Sequence, residues 1–466
     1  MNMKNVAFAA AAVSLTGFVS AATVEDVSVR QMWPWSNEIK VSYTLSGASA
    51  EKPVDIRVKF YDGVEEIPAS GHLYSQVSGD ALLAVTDDGA RSFRFDPSEV
   101  LSGSRDSYGD FRVTVTAEAA TSTEVIYKIV DVDAVTVTDI TRADILSGKY
   151  GDYETDYSKV GPGFSSPLED VLVWTGVTNY PNTRRQNMVL RKIPAAGKHF
   201  NLGQTATAVG LDTWFTHDFW IGVFEVTQYQ HKRFKGDTAY ILGWETKDAE
   251  ERASDYFNTN TGGSRYDSVR SYGSDTIAKD WPEGTIEGAW KNRSIGKLRQ
   301  LFVNKFGADH EMKWIDLPTE AQWEFAARAG TTTAAIYTGK ENTTANLAEI
   351  GRFLNINNTG TTGAYVKPPQ DCDLGTGANI PGQYLPNAYG LYDMLGNVFE
   401  ICLSRSGGQV GGEEPKGSTS GAQHITRGGS YDWSGPTYGT LTYRYQDIQT
   451  YGHSCGFRLC LQTHNY

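Results

Sequence analysis

The 466-residue chain is predicted to be an α+β protein, with an N-terminal antiparallel β-sandwich followed by a larger loop-rich mixed domain. Three observations predict this. Segments that alternate apolar and polar residues with period two crowd the N-terminal quarter. Capped helical patterns occur only further on, and long stretches rich in Gly, Thr and Asn separate them. The length exceeds what one hydrophobic core usually organises, so two or three domains are expected.

The chain opens with MNMKNVAFAAAAVSLTGFVSA, in which Lys4 precedes an apolar run from Val6 to Val19 and small residues follow at Ser20 and Ala21. This reads as a secretory signal over residues 1–21. No later stretch approaches the roughly 20 apolar residues of a membrane span. The mature chain is therefore expected to be soluble and exported, whether periplasmic, secreted or at the cell surface, with no transmembrane segment.

Next, IKVSYTL places Ile39, Val41, Tyr43 and Leu45 on one face. VDIRVKF does the same with Val54, Ile56, Val58 and Phe60, and FRVTVTA with Phe111, Val113, Val115 and Ala117, with polar residues between. Asp62-Gly63 is a hairpin signal. Together these predict an immunoglobulin- or fibronectin-like sandwich over residues 23–123. The plain reading of such a domain is a spacer or docking module without chemistry. Residues 124–186 mix the β-like runs VIYKIVDV and DVLVW with Gly, Ser, Asp and Pro, and read as a strand-containing connector.

From residue 187 onward a few helices stand out. Thr319 with Gln322 forms a capping-box pattern ahead of an apolar stripe of Trp323, Ala326 and Ala327, and Gly330 marks the stop. Thr227 with Gln230 marks a shorter start of the same kind. SIGKLRQLFVNKFG sets Ile295, Leu298, Leu301, Phe302 and Phe306 on one face and ends at Gly307.

Composition narrows the function classes. The 42 Lys and Arg lie scattered among 55 Asp and Glu, for a net charge of −13 and no basic stripe, which argues against a nucleic-acid partner. No phosphate-cradling Gly loop, no nucleophile elbow and no zinc spacing among the eight His is present. Four cysteines, Cys372, Cys402, Cys455 and Cys460, favour disulfides in an exported chain, and spacing does not choose among the three pairings. Cys455 and Cys460 are an odd number of residues apart, so on one strand they face opposite ways and should not bond to each other.

Six phrases carry a resemblance: MVLRKIPAAGKHFNLG from Met188, FWIGVFEVTQYQ from Phe219, LPTEAQWEFAARAG from Leu317, NAYGLYDMLGNVFEIC from Asn387, TRGGSY from Thr426 and GFRL from Gly456. In this order they resemble the formylglycine-generating enzyme family, also called sulfatase-modifying factor. The resemblance implies an irregular α+β domain over residues 187–466, related to C-type lectin-like folds and often calcium-stabilised, and it leaves the N-terminal third outside. Enzymes of that family oxidise a substrate cysteine to formylglycine with O2, using copper held by two thiolates six and eleven residues beyond the Arg of the RGGS motif. Counted from Arg427, the matching positions are Trp433 and Tyr438. Neither side chain supplies the soft thiolate that Cu(I) selects, so copper is not expected. Ser430 matches the serine that assists catalysis, but no catalytic set accompanies it.

Calcium is expected. Two carboxylates and alternating backbone carbonyls in one turn provide about half of the six to eight oxygens the ion takes, and the resemblance assigns Asp393, Gly396, Val398 and Glu400 as ligands. Tyr431, Trp433, Tyr438, Tyr443 and Arg444, set among Ser, Gly and Thr, form a candidate ligand-binding surface whose composition is that of paratopes. The competing reading is that the rings fill an irregular core. Three functions follow in order of preference. The first is a non-catalytic family variant binding an extracellular or periplasmic protein or glycan. The second is a formylglycine-generating oxidoreductase acting on a cysteine of a sulfatase-type substrate, and the third is a passive envelope scaffold.

Overall fold

The computed structural model describes residues 9–10, 22–32, 36–69, 73–101, 110–155, 172–235, 294–354, 356, 378–421, 424–431, 433–445 and 455–462. The expected signal segment lies outside the described residues apart from Ala9 and Ala10, and so does Cys372. The fold is mixed α+β and divides into two units, residues 1–126 with 140–155, and residues 127–139 with 156–466. No helix among the described residues is long and apolar enough to cross a membrane.

In the first unit, two four-stranded sheets share one core. One sheet has the order Ala9–Ala10, Phe111–Ala119, Val54–Asp62, Glu65–Ile67, and the other Thr23–Gln31, Ile39–Ser46, Gly89–Phe95, Ser78–Gly79. The period-two pattern puts Ile39, Val41, Tyr43 and Leu45 inside on one strand and Val54, Ile56, Val58 and Phe60 inside on another. Phe60 and Phe95, from opposite sheets, close the core with ring centroids 5.0 Å apart. In the third run Phe111, Val113 and Val115 are buried, whereas Ala117 is only partly so. Asp62 pairs with Glu65, leaving Gly63 and Val64 as a two-residue turn, with Gly63 at φ +63°. One polar position departs from the alternation. Asp55 is buried and accepts the amides of Ala84 (2.9 Å), Thr121 (3.1 Å) and Ser122 (3.0 Å) together with the Ser122 hydroxyl. A buried carboxylate is tolerated when its oxygens are filled in this way.

The second unit is organised by a six-stranded sheet in the order Thr136–Thr141, Val125–Asp131, Asn187–Ile193, Phe219–Gly222, Cys460–Leu461, Ile315–Asp316. Thus the stretch read as a connector contributes two strands. A second, small sheet has the order His424–Arg427, Phe399–Arg405, Cys455–Gly456. Cys455 and Cys460 lie in different sheets, and among the described residues no disulfide joins Cys402, Cys455 and Cys460. The expectation of disulfides is corrected to that extent, because strand pairing carries these sulfurs to separate places in the core.

Both capping boxes form. The Thr319 side chain accepts the Gln322 amide (3.2 Å) while Gln322 takes the Thr319 amide (3.0 Å), which opens the helix Glu320–Arg328. Thr227 and Gln230 repeat the exchange ahead of Gln228–Lys235. The first helix turns left-handed one residue before the expected glycine, at Ala329 with φ +44°. Its predicted stripe is only part of the story, since every residue from Glu320 to Arg328 is buried. On the helix Ser294–Phe306, Ile295, Leu298 and Phe302 are buried as expected, but Leu301 is only partly covered and Phe306 is 46 % exposed, stacked on His310 at 4.7 Å.

Candidate functional site

The motif phrases converge on the small sheet of the second unit. Phe399–Arg405 runs antiparallel to His424–Arg427, with Glu400 opposite Arg427, and parallel to Cys455–Gly456, with Phe399 opposite Cys455. Beyond Arg427 the chain turns at Gly428 (φ +92°) and Gly429 (φ +79°). A Cβ on Gly428 would meet the Met394 carbonyl at 3.0 Å, and one on Gly429 the Tyr438 carbonyl at 3.1 Å, so both backbone angle and space call for glycine. The turn leaves Ser430 fully buried rather than presented at the surface.

Beneath the turn lies a buried ion network. Arg427 donates to Glu320 (2.7 Å), to Glu324 (2.5 Å) and to the Leu441 carbonyl (2.5 Å), and its guanidinium lies 5.2 Å from the centre of the Trp323 ring. Glu324 also pairs with Arg328. Glu320 takes a second guanidinium, that of Arg444, at 2.5 and 3.0 Å, and Arg444 reaches the Gly407 carbonyl as well. Arg444, expected as a ligand contact, is therefore engaged as an internal anchor for the segment bearing Tyr443 and Tyr445.

The DMLGNVFE turn sits over a second buried cluster. Asp393 and Asn397 both adopt left-handed backbone, at φ +54° and +57°. Glu400 is gripped by the Arg458 fork at 2.7 and 2.6 Å and accepts the Trp323 indole at 2.7 Å. Arg458 spends its remaining donors on the carbonyls of Gly222, Val223 and Tyr392. Glu225 joins the same cluster through the Val398 amide (3.2 Å) and the Asn397 side chain (2.5 Å). Burial, reinforced by the charges of Asp393 and Glu400, holds Glu225 well above the usual carboxylate range. Burial also pushes Asp393 up to about 6, against the opposing pull of the Gly382 amide and of Arg458 and Arg184. Asp393 Oδ2 accepts the Gly382 amide at 2.6 Å, whereas its Oδ1 is buried with no hydrogen-bond partner.

Above these layers the aromatic side chains pack on one another. Trp433 meets Tyr438 edge to face, centroids 4.5 Å apart; Tyr438 meets Tyr443 at 5.0 Å; and Tyr445 lies 4.8 Å from Trp433 and 6.5 Å from Tyr443. Phe399 lies below, 5.5 Å from Trp433 and 5.4 Å from Tyr445. Phe399 is buried, while Trp433, Tyr438, Tyr443 and Tyr445 all keep part of their surface exposed. Tyr431 departs from the expected surface: it is buried with Ala378 and Val398, and its amide bonds the Asn397 carbonyl. Of the five expected ligand contacts, three thus sit in the partly exposed layer and two are turned to structural use.

Comparison with known proteins places this arrangement. Residues 178–463 match the family profile described as a sulfatase-modifying factor enzyme 1-like domain. The chain belongs to this family. Mus musculus formylglycine-generating enzyme is 35% identical over 123 residues, which is 25% of this chain and 30% of that protein. The enzyme of the same name from Thermomonospora curvata is 31% identical over 125 residues, 25% of this chain and 38% of the relative. The aligned stretches thus span about a third of each relative's length. Among solved structures, Treponema denticola variable protein 1 overlays with a TM-score of 0.38 at 19% identity, covering 59% of this chain and 95% of that one. PvdO from Pseudomonas aeruginosa gives 0.37 at 19% identity, covering 58% and 93%.

Within the sulfatase-modifying factor domain, the side chains at hand do not fit copper. The positions matched to the thiolates do converge, but as an indole and a phenol. Of the cysteines elsewhere, Cys402 and Cys460 are buried in strands of different sheets, and burial raises both thiols well above their usual range. Calcium fits in part. Asp393 Oδ1 is an open, buried oxygen, while both oxygens of Glu400 already serve Arg458 and Trp323. Among the described residues no three His, Cys, Asp or Glu side chains converge on one metal position, so a bound ion would depend on the Gly396 and Val398 carbonyls. Sequence reasoning missed Glu225 and Arg458. Each had a signal, being a lone charge inside an apolar strand-like run, FWIGVFEV and GFRLCL.

Proposed function

We propose that this sulfatase-modifying factor domain is a non-catalytic binding module whose ligand, a protein or a glycan, rests on Trp433, Tyr438, Tyr443 and Tyr445. The observation that carries this reading is the 4.5 Å contact of the Trp433 and Tyr438 rings, because it occupies the two positions where the resemblance puts the copper thiolates. Rigid rings offer contact area at small entropic cost. The buried Arg427 network holds them from below, which limits the ordering penalty on binding.

The relatives named formylglycine-generating enzyme keep an oxidase as the alternative. The test is oxygen uptake by the full chain, supplied with Cu(I) and a cysteine-containing peptide of sulfatase type. No uptake above a heat-denatured control is expected, and saturable uptake with loss of the peptide thiol would overturn the binding-only reading.

Calcium at the DMLGNVFE turn belongs to the same proposal, held by Asp393 Oδ1 and the carbonyls of Gly396 and Val398, with Glu400 joining through lone pairs not used by Arg458 and Trp323. A ligand that binds only the folded state adds about 2.7 kcal/mol at a hundredfold excess over its Kd. Melting in a chelator should therefore lower the Tm by several degrees, recoverable with calcium but not with magnesium. An identical melt in both conditions removes the ion from the proposal.

A further inference from the structure

The aromatic layer is unusual in what it lacks. Between residues 433 and 443, WSGPTYGTLTY, there is no charged side chain. Arg444, next in sequence, has its guanidinium engaged by Glu320 and the Gly407 carbonyl. The same stretch interleaves its rings with the hydroxyls of Ser434, Thr437, Thr440 and Thr442; Thr437 is exposed and the other three partly so. The short helix Gly435–Tyr438 holds these groups in place, supported by the Asn342 side chain on the Pro436 carbonyl (2.8 Å).

We infer that this surface takes a neutral saccharide, an apolar C–H face laid on Trp433 or Tyr443, which Tyr438 meets edge to face, and its hydroxyls exchanged with those of Ser434, Thr437 and Thr442. The inference rests on the binding reading above and narrows it. A charged ligand finds no counter-charge in this stretch. A purely apolar peptide would strip water from the hydroxyls without replacing their hydrogen bonds, which is costly. A pyranose offers both chemistries alternately, and the four rings lie within centroid steps of 4.5 to 6.5 Å, with Tyr438 edge to face against both Trp433 and Tyr443, so the cluster offers short separate apolar faces on the scale of a small ligand rather than of a broad protein interface.

The test uses the full chain on a printed array of neutral and acidic glycans, followed by tryptophan-fluorescence titration with the tightest neutral oligosaccharide on the array. Saturable binding that salt does not weaken is expected, since no ion pair is involved. Thr437→Glu places a charge on the exposed rim without touching the packed rings, and should weaken binding about tenfold with an unchanged melt; Tyr443→Ala should do the same through loss of a stacking face, a loss on the order of tenfold. Binding confined to sialylated or sulfated glycans overturns the inference. Capture of phage-displayed peptides, but no glycan, in a manner abolished by Thr437→Glu also overturns it and leaves the binding reading standing. Failure to capture either class overturns both.

Discussion

Arg458→Leu is expected to lower the unfolding midpoint of the second unit by roughly 4–7 °C. Arg458 is fully buried, and its fork holds both oxygens of Glu400. Removing one partner of a buried pair leaves an uncompensated charge in a dry site, a loss of about 3–5 kcal/mol, and at about 2 cal/mol/K of unfolding entropy per residue a unit of this size shifts about 1.5 °C per kcal/mol. The local effect should be severe because Arg458 is the cation that pairs with Glu400 there, and its loss leaves the Glu400 carboxylate beside the buried carboxyls of Glu225 and Asp393, which burial already holds above their usual range. The double variant Arg458→Leu with Glu400→Leu should recover part of the loss, because the stranded carboxylate is gone while the Trp323 indole still lacks its acceptor. Thermal melts of the two singles and the double provide the cycle. A single-variant shift of only a degree or two would mean that the pair does not form.

The second large effect is a gain of metal binding. Because the Trp433 and Tyr438 rings touch, sulfurs introduced at both positions should come within reach of one ion, and soft thiolates select Cu(I). The variant Trp433→Cys with Tyr438→Cys is expected to take up one Cu(I) per chain in competition with a chromogenic chelator, whereas the unaltered protein takes up none at this place. Each single cysteine should bind far more weakly, since one thiolate cannot supply the pair. Melts recorded alongside separate loss of the ring packing from loss of binding. Stoichiometric Cu(I) uptake by the unaltered chain would defeat the claim that the thiolate site is lost here.

Legibility in the sequence followed range. The capping boxes at Thr319 and Thr227 are local exchanges across three residues, and both were readable in the letters. So was the sandwich, because a strand's two faces are set by alternate positions. Asp55 was not readable, since the amides that fill its carboxylate come from residues 84, 121 and 122, at the far ends of other segments. The same limit explains Arg444 and Tyr431. Their residue types suit a binding surface, but Glu320 lies more than a hundred positions from Arg444, and Val398 comes to Tyr431 only through the turn that precedes the small sheet. Phe306 erred in the opposite direction, because helical periodicity placed it with Phe302 while the end of that helix runs out past the core.

By itself the sequence determined the α+β class, the sandwich faces, the helix starts, the family motifs and the presence of Trp433 and Tyr438 at the two positions where the resemblance would put thiolates. These are properties of residue identity and of spacing within one turn or one strand. Tertiary structure alone decided which charges are buried and with what partners: that Arg458 grips Glu400, that Glu225 joins them, that Asp393 keeps one oxygen unfilled, and that Trp433, Tyr438, Tyr443 and Tyr445 close into one layer. The physical reason is that a buried charge or ring is stabilised only by groups that fold onto it from distant segments, and no local pattern records which segments those will be.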